Sequence, residues 1–139
     1  MLLIPTRVLP SPIHGLGLFT CDPVPAGTPV WRFLAGFDRR FSPAEVATLP
    51  PLVLAHLRWF GYVSEPGGDV ILSGDHACFM NHSHTPNTGA PPVAAQPVIT
   101  VALRDLSAGE EITCDYFAFD ADAARKLGNT AAALPGIRG

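Results

Sequence analysis

The sequence predicts a mostly β fold of small sheets, and three observations carry that expectation. Turn-forming clusters such as Asp22-Pro23-Val24-Pro25-Ala26-Gly27, Glu65-Pro66-Gly67-Gly68 and Ser73-Gly74-Asp75 recur about every ten residues. The runs between them are short, apolar and rich in β-branched and aromatic residues. Helical signals are confined to one insert at about 42–60 and one short stretch near the end.

At 139 residues, with 47% hydrophobic and 15% charged residues, the chain suits one packed domain and not a disordered one. A net charge of -3 and the lack of any basic stripe argue against direct nucleic-acid binding. Cys21, Cys78 and Cys114 are odd in number and form no disulfide framework, which suits a reducing, cytoplasmic setting. Pro5 and Arg7 interrupt the apolar start, and no run reaches membrane-spanning length, so neither a signal segment nor a membrane partner is expected.

Pro5, Pro10 and Pro12 make the first segment extended and edge-like, because proline cannot donate to a central ladder. His14-Gly15-Leu16-Gly17 then permits a tight turn or close backbone approach, and Leu18-Phe19 opens a strand. The dinucleotide fingerprint is not met, since no third glycine and no helix follow. Thr28 to Leu34 alternates as a strand. Ser42-Pro43-Ala44-Glu45 has the capping-box signature, Pro50-Pro51 stops that helix, and a second runs from Leu52 to Trp59 and ends at Gly61. Tyr62-Val63 and Asp69 to Leu72 form a hairpin. Gly89 to Pro97 is a loop, Val98 to Leu103 the strongest strand, Glu110 to Phe117 the last strand, and Asp120 to Leu127 a short helix closed by Gly128.

Chemistry concentrates in Phe79-Met80-Asn81-His82-Ser83-His84-Thr85-Pro86-Asn87. Its amides, imidazoles and hydroxyls are costly to bury unpaired, about 1–3 kcal/mol each, so they should pair with one another or receive a ligand. His76, Cys78, His82 and His84 could in principle bind zinc, although the turns around them break any continuous strand.

Three marks, Gly15-Leu16-Gly17-Leu18-Phe19, Phe79 to Ser83 with Pro86-Asn87, and Ala108-Gly109-Glu110-Glu111-Ile112-Thr113-Cys114-Asp115-Tyr116, resemble in order and spacing those of the SET-domain protein-lysine methyltransferases. The resemblance covers residues 5–118, with the helical insert at about 42–60 where that family varies, and leaves 119–139 as a short helix and tail. It implies a β-clip-like fold with a knot-like C-terminal crossing, S-adenosyl-L-methionine on one face and a substrate lysine entering a narrow channel from the other. Carried over by position, the backbone of Gly15, Leu16 and Gly17 approaches the cofactor and Asn81 and His82 hold its adenine end. Tyr116 stands beside the sulfonium methyl, Tyr62 lines the lysine channel, Phe119 rather than Phe117 stacks on adenine, and Asn87 and Ser83 hold the crossing. Family members often have a cysteine-rich zinc-binding tail after the tyrosine; Phe117-Ala118-Phe119-Asp120 has no cysteine, so no such tail site is expected.

That chemistry suits these residue types. A lysine must lose its proton to attack, which at pH 7 costs about 4.6 kcal/mol from a reference pKa near 10.4. An apolar channel and a neighbouring positive sulfonium both lower that cost. A touching carboxylate would raise it, so Glu110, Glu111 and Asp115 are read as turn and strand residues. Tyr62 reads equally well as a half-buried strand tyrosine, and Trp59 and Phe60 as core. The partner implied is a lysine-bearing protein, histone-like or ribosomal by its basic character; a homodimer completing the site is left open, and no appended partner-recognition domain is readable. Two other readings stay open: a non-catalytic SET-like protein-binding module, and a small metal-binding β protein.

Overall fold

The computed structural model describes residues 1–93 and 99–128; the start of the Val98 to Leu103 strand and the tail beyond Gly128 lie outside them. Ten short strands are present among the described residues: β1 (Thr6–Pro10), β2 (Leu16–Thr20), β3 (Pro29–Arg32), β4 (Arg39–Phe41), β5 (Tyr62–Val63), β6 (Val70–Leu72), β7 (Asn81–His82), β8 (Thr88–Gly89), β9 (Ile99–Ala102) and β10 (Glu111–Cys114). Three helices accompany them, α1 (Pro43–Val46), α2 (Pro51–Phe60) and α3 (Ala123–Gly128). The strands form three sheets, ordered β1-β2-β10-β7, β3-β9-β8 and β4-β6-β5.

Strands β1 and β2 pair antiparallel around a tip at which Gly15 has φ +47°, a left-handed conformation that glycine adopts without a Cβ clash. The edge position of β1 tolerates Pro10, whose missing N–H is not needed there. The core lies between the first two sheets. Leu18 from β2, Val30 from β3, Ala102 from β9 and Ile112 from β10 are almost wholly buried there, beside Trp31 and Met80. Alternation along each strand puts these residues on the facing sides.

The insert forms as its sequence dictates. The Ser42 hydroxyl accepts the Glu45 N–H at 3.2 Å while the Glu45 carboxylate accepts the Ser42 N–H at 2.7 Å, closing the capping box. Pro51 restarts the chain as α2, which buries only Leu57 and ends at Gly61. The expected hairpin pairs Tyr62 with Ile71 and Val63 with Val70. Its third strand, β4, begins with two arginines, which hid it from a pattern of apolar alternation. Arg40 stacks over Phe33 and Arg39 over Phe41, and the buried Asp38 carboxylate ahead of them accepts the Leu34 and Gly74 N–H groups at 2.7 and 2.9 Å.

Two expectations are corrected. The last strand ends at Cys114 rather than Phe117, because the Asp115 carboxylate accepts the Phe117 N–H at 3.0 Å and turns the chain into a 3-10 turn over Tyr116–Ala118. Trp59 is not core: it is 50% exposed, since the single buried position of α2 turns it toward a cleft mouth, and Phe60 joins it on the cleft wall.

Both ends of the 79–87 stretch are sewn to β10. β7 runs parallel to it, with Asn81 beside Thr113 and His82 beside Cys114. Asn87 donates from Nδ2 to the Glu111 carbonyl at 2.7 Å and accepts the Thr113 N–H at 2.8 Å, while the Thr88 hydroxyl donates to the Thr113 carbonyl. The Ser83 N–H donates to the Cys114 carbonyl at 3.0 Å. Past β10 the chain crosses this stretch and joins β5, where the Ala121 N–H meets the Val63 carbonyl at 2.9 Å. Among the described residues no helix is long and apolar enough to cross a membrane.

Candidate active site

Distant segments meet at Asn81. Its side-chain Nδ2 lies within 3.2 Å of Ser11 Oγ, the His14 and Leu16 carbonyls and Glu111 Oε1, so one buried amide gathers the glycine loop onto β10. Gly17 is required for that packing. A Cβ there would lie 2.3 Å from Glu111 Oε1, whose carboxylate also accepts the Ser11 hydroxyl at 2.8 Å. Glu111 is thus the hub of the loop, a role its place in a strand pattern does not reveal.

His82 ties the same place to Tyr116. Its side chain is 9% exposed and its Nδ1 accepts the Tyr116 N–H at 3.1 Å, which assigns the ring proton to Nε2. Burial holds the imidazole below the usual histidine range, His84 adds to this by repulsion, and Asp115, 3.6 Å from Nδ1, opposes it. Nε2 is buried and meets no acceptor among the described residues. The Phe117 ring stands edge-on to His82 at 5.6 Å, whereas Phe119 stands edge-on to Tyr62 at 5.1 Å and to Tyr116 at 6.0 Å. The structure therefore groups Phe119 with the two tyrosines and sets Phe117 against His82.

The tyrosines open on a cleft of about 470 Å³, walled by Trp31, Trp59, Met80, Cys78, Cys114 and Phe119 among others. The Tyr116 hydroxyl donates to the Met80 carbonyl at 2.6 Å, a contact made possible by the 3-10 turn and by the place of Met80 directly before β7. Burial pushes the Tyr116 phenol well above its ordinary range, with Cys114 and Asp120 adding to the effect. Burial likewise raises Tyr62 to about 12 and Cys114 to about 12. All three stay protonated at neutral pH.

Two charged side chains line the cleft among the described residues, Lys126 and Asp115, and only Lys126 has an opposite charge against it. Lys126 donates to Asp120 and to the Gly61 carbonyl, and Asp115 accepts the Phe117 N–H. Asp120 in turn accepts the Val63 N–H at 2.9 Å, so the C-terminal segment is clasped to β5 beside Tyr62. Nothing in the sequence pattern announced the Met80 carbonyl or this clasp, because both arise from contacts across the crossing. Among the described residues no three His, Cys, Asp or Glu side chains converge as metal ligands; His82 and His84 do pack edge-on at 4.6 Å.

A glycine loop, a buried Asn-His pair and a tyrosine held over a crossing, all on small β sheets, define one fold class. The chain belongs to the SET-domain family, whose sequence model matches residues 15–117. It is also 29% identical over 110 residues to a Plasmodium falciparum (isolate 3D7) protein named "Putative histone-lysine N-methyltransferase 1", which covers 76% of this chain and only 2% of that much longer relative. The fold is similar to the crystal structure of a Plasmodium falciparum putative histone methyltransferase, with TM-score 0.54 and 19% identity over 81% of this chain and 93% of that one. It is similar too to a humanized mutant of Chaetomium thermophilum Polycomb Repressive Complex 2 bound to the inhibitor GSK126, with TM-score 0.62 and 20% identity over 88% of this chain and 16% of that one.

Proposed function

We propose that this chain is an S-adenosylmethionine-dependent protein-lysine methyltransferase. The observation that carries the reading is the Tyr116 hydroxyl, fixed by the Met80 carbonyl on the wall of a largely apolar cleft, in a chain whose residues 15–117 match the SET-domain model. S-adenosylmethionine, when bound, supplies an electrophilic methyl group on a sulfonium centre.

The residues present suit that cofactor. His82 keeps a buried Nε2–H donor with no acceptor among the described residues, an arrangement that an acceptor-bearing ligand would relieve. The loop from Gly15 to Gly17 is tied to the neighbouring Asn81 through the His14 and Leu16 carbonyls, and Gly15 and Leu16 are exposed. Asn81 and His82 would hold the adenine end; Phe119, expected to stack on the adenine, packs against Tyr62 and Tyr116, while Phe117 stands against His82.

The cleft prepares the amine. With Lys126 paired to Asp120, the largely apolar walls desolvate an incoming lysine and favour its neutral amine, while the Asp115 carboxylate, which keeps its charge, acts against this. Tyr62 and Phe119 form an apolar, aromatic wall that fixes the lysine stem. Because the Tyr116 proton is spent on Met80, its phenolic oxygen faces the reacting groups as an acceptor and holds them in line rather than acting as a base. The partner is a lysine-bearing protein, a reading supported by the histone-lysine methyltransferase name of the Plasmodium relative.

The test is transfer of labelled methyl from S-adenosylmethionine to core histones and to a mixture of basic ribosomal proteins. Wild type is expected to label lysine, and Tyr116→Phe to lose about 100-fold in rate, the scale of one preorganised group at a reacting centre, while cofactor affinity stays within a few-fold. Equal rates for Tyr116→Phe and wild type would remove the tyrosine from the chemistry.

A further inference from the structure

A helix on the surface of a small domain normally turns its apolar stripe inward. Helix α2 buries only Leu57, while Leu52, Ala55, His56 and Trp59, spaced to share one face, are all exposed, Leu52 by 86%. This outer stripe leads to the cleft. Trp59 lines the cleft and is half exposed, so it stands at the mouth, and His56 packs at 4.9 Å on Phe60, which lines the wall. Two more large apolar side chains combine lining with exposure: Leu103, just past β9, at 46% and Phe119 at 40%. Three separate parts of the chain thus each bring a large apolar group to the mouth, beside the way in to Tyr62 and Tyr116.

We infer that the cleft mouth and the outer face of α2 form one docking surface for the substrate protein, which presents its target lysine among leucine- or phenylalanine-type side chains. The lysine in this statement rests on the methyltransferase reading; the surface rests on the exposed side chains alone. A second copy of the chain fits the stripe less well. A ten-residue helix is about 15 Å long and about 10 Å wide, so its face offers roughly 300 Å² at most, against about 800 Å² per partner in a stable pair. A transient contact that continues into the cleft is what a substrate makes. Arginine neighbours also suit the surface less. Asp115 is the lining charge without an opposite charge against it, and its side chain is partly exposed, so an ion pair there is worth about 5-fold at most. Burying a leucine or phenylalanine against apolar walls is worth about 10-fold or more.

The experiment measures fluorescence polarisation of fluorescein-labelled eleven-residue peptides with a central lysine flanked on both sides by Leu, Phe, Ser or Arg, alongside methyl transfer to the same peptides. Leucine and phenylalanine flanks are expected to bind about 10-fold tighter than serine and about 3-fold or more tighter than arginine. A second pair of leucines three residues further out, about 10 Å along an extended chain, should add about 3-fold. Leu52→Glu should erase that added gain, and Leu103→Ala should reduce the margin of the inner flanks. Leu9→Glu, the same kind of change at a 44% exposed leucine on β1, should leave every margin in place, with folding of all three variants checked by circular dichroism. Serine or arginine flanks binding as tightly as leucine, or Leu52→Glu and Leu9→Glu acting alike, would overturn the docking surface. Ranked binding without transfer to any peptide or histone would keep the surface and reject the methyltransferase reading, whereas transfer that ignores the flanks or favours arginine would do the reverse.

Discussion

At the residue scale, His82 and Tyr116 form one unit. The backbone of Tyr116 is placed by an imidazole nitrogen that must remain unprotonated, so adding a proton to Nδ1 removes the acceptor and loosens the tyrosine. Burial and His84 depress the histidine pKa in the folded chain. In the window below the unfolded value, near 6.5, the unfolded state therefore binds more protons than the native state, and stability falls as pH falls. Thermal unfolding should show Tm constant above about pH 7 and declining toward pH 5.5, with a shallower decline for His82→Gln, which keeps an acceptor and cannot titrate. Identical slopes for the two proteins would detach His82 from that loss. The residue types at this site were legible in the sequence: Asn81, His82 and Tyr116 sit in marked contexts, and the family resemblance pointed to Asn87, whose amide bonds to the Glu111 carbonyl and the Thr113 N–H. Their partners were not legible, because the Met80 carbonyl and the Glu111 carboxylate are ordinary groups until the crossing brings them within hydrogen-bond distance.

At the element scale, local chemistry could be read wherever it acts over a few residues. Ser42 to Glu45 closes a capping box, Pro50-Pro51 separates two helices, and the Glu65 to Gly68 turn joins a hairpin. Elements made by long-range pairing could not: β7 and β8 have two residues each and exist because β10 and β9 pair with them. The last strand was overextended because Phe117 and Phe119 continue an alternating pattern that the Asp115 cap interrupts. The clasp from α3 to β5 is of the same long-range kind, and it is strong. Asp120 has a 1% exposed side chain, so Lys126→Ala, which leaves that carboxylate without its cation, should cost about 3 kcal/mol in denaturant unfolding. Adding Asp120→Asn should recover part of the loss, since no buried charge then remains. At the opposite end of the fold Gly17→Ala should cost about 1–3 kcal/mol, because the new methyl displaces Glu111 from Ser11 and Asn81.

At the scale of the whole molecule, two sheets share a core, the third carries the helical insert, and the crossing draws all of them to one cleft. Composition and turn spacing were enough for the fold class, because short alternating runs leave few other ways to bury apolar surface. The shape of the cleft was not readable: Trp59 and Phe60 carry the composition of core residues, and only their place at the end of α2 puts them on its wall. The family defines which cofactor to test, and Asn81 is the residue whose side chain holds the glycine loop. The most direct measurement is therefore a calorimetric titration of S-adenosylmethionine into chelator-treated protein, with Asn81→Ala beside wild type and folding of both confirmed by circular dichroism. Saturable binding at one site, weakened about 10-fold or more by Asn81→Ala as its loop is released, is the predicted result. Folded wild-type protein that gives no binding heat up to millimolar cofactor would contradict the account.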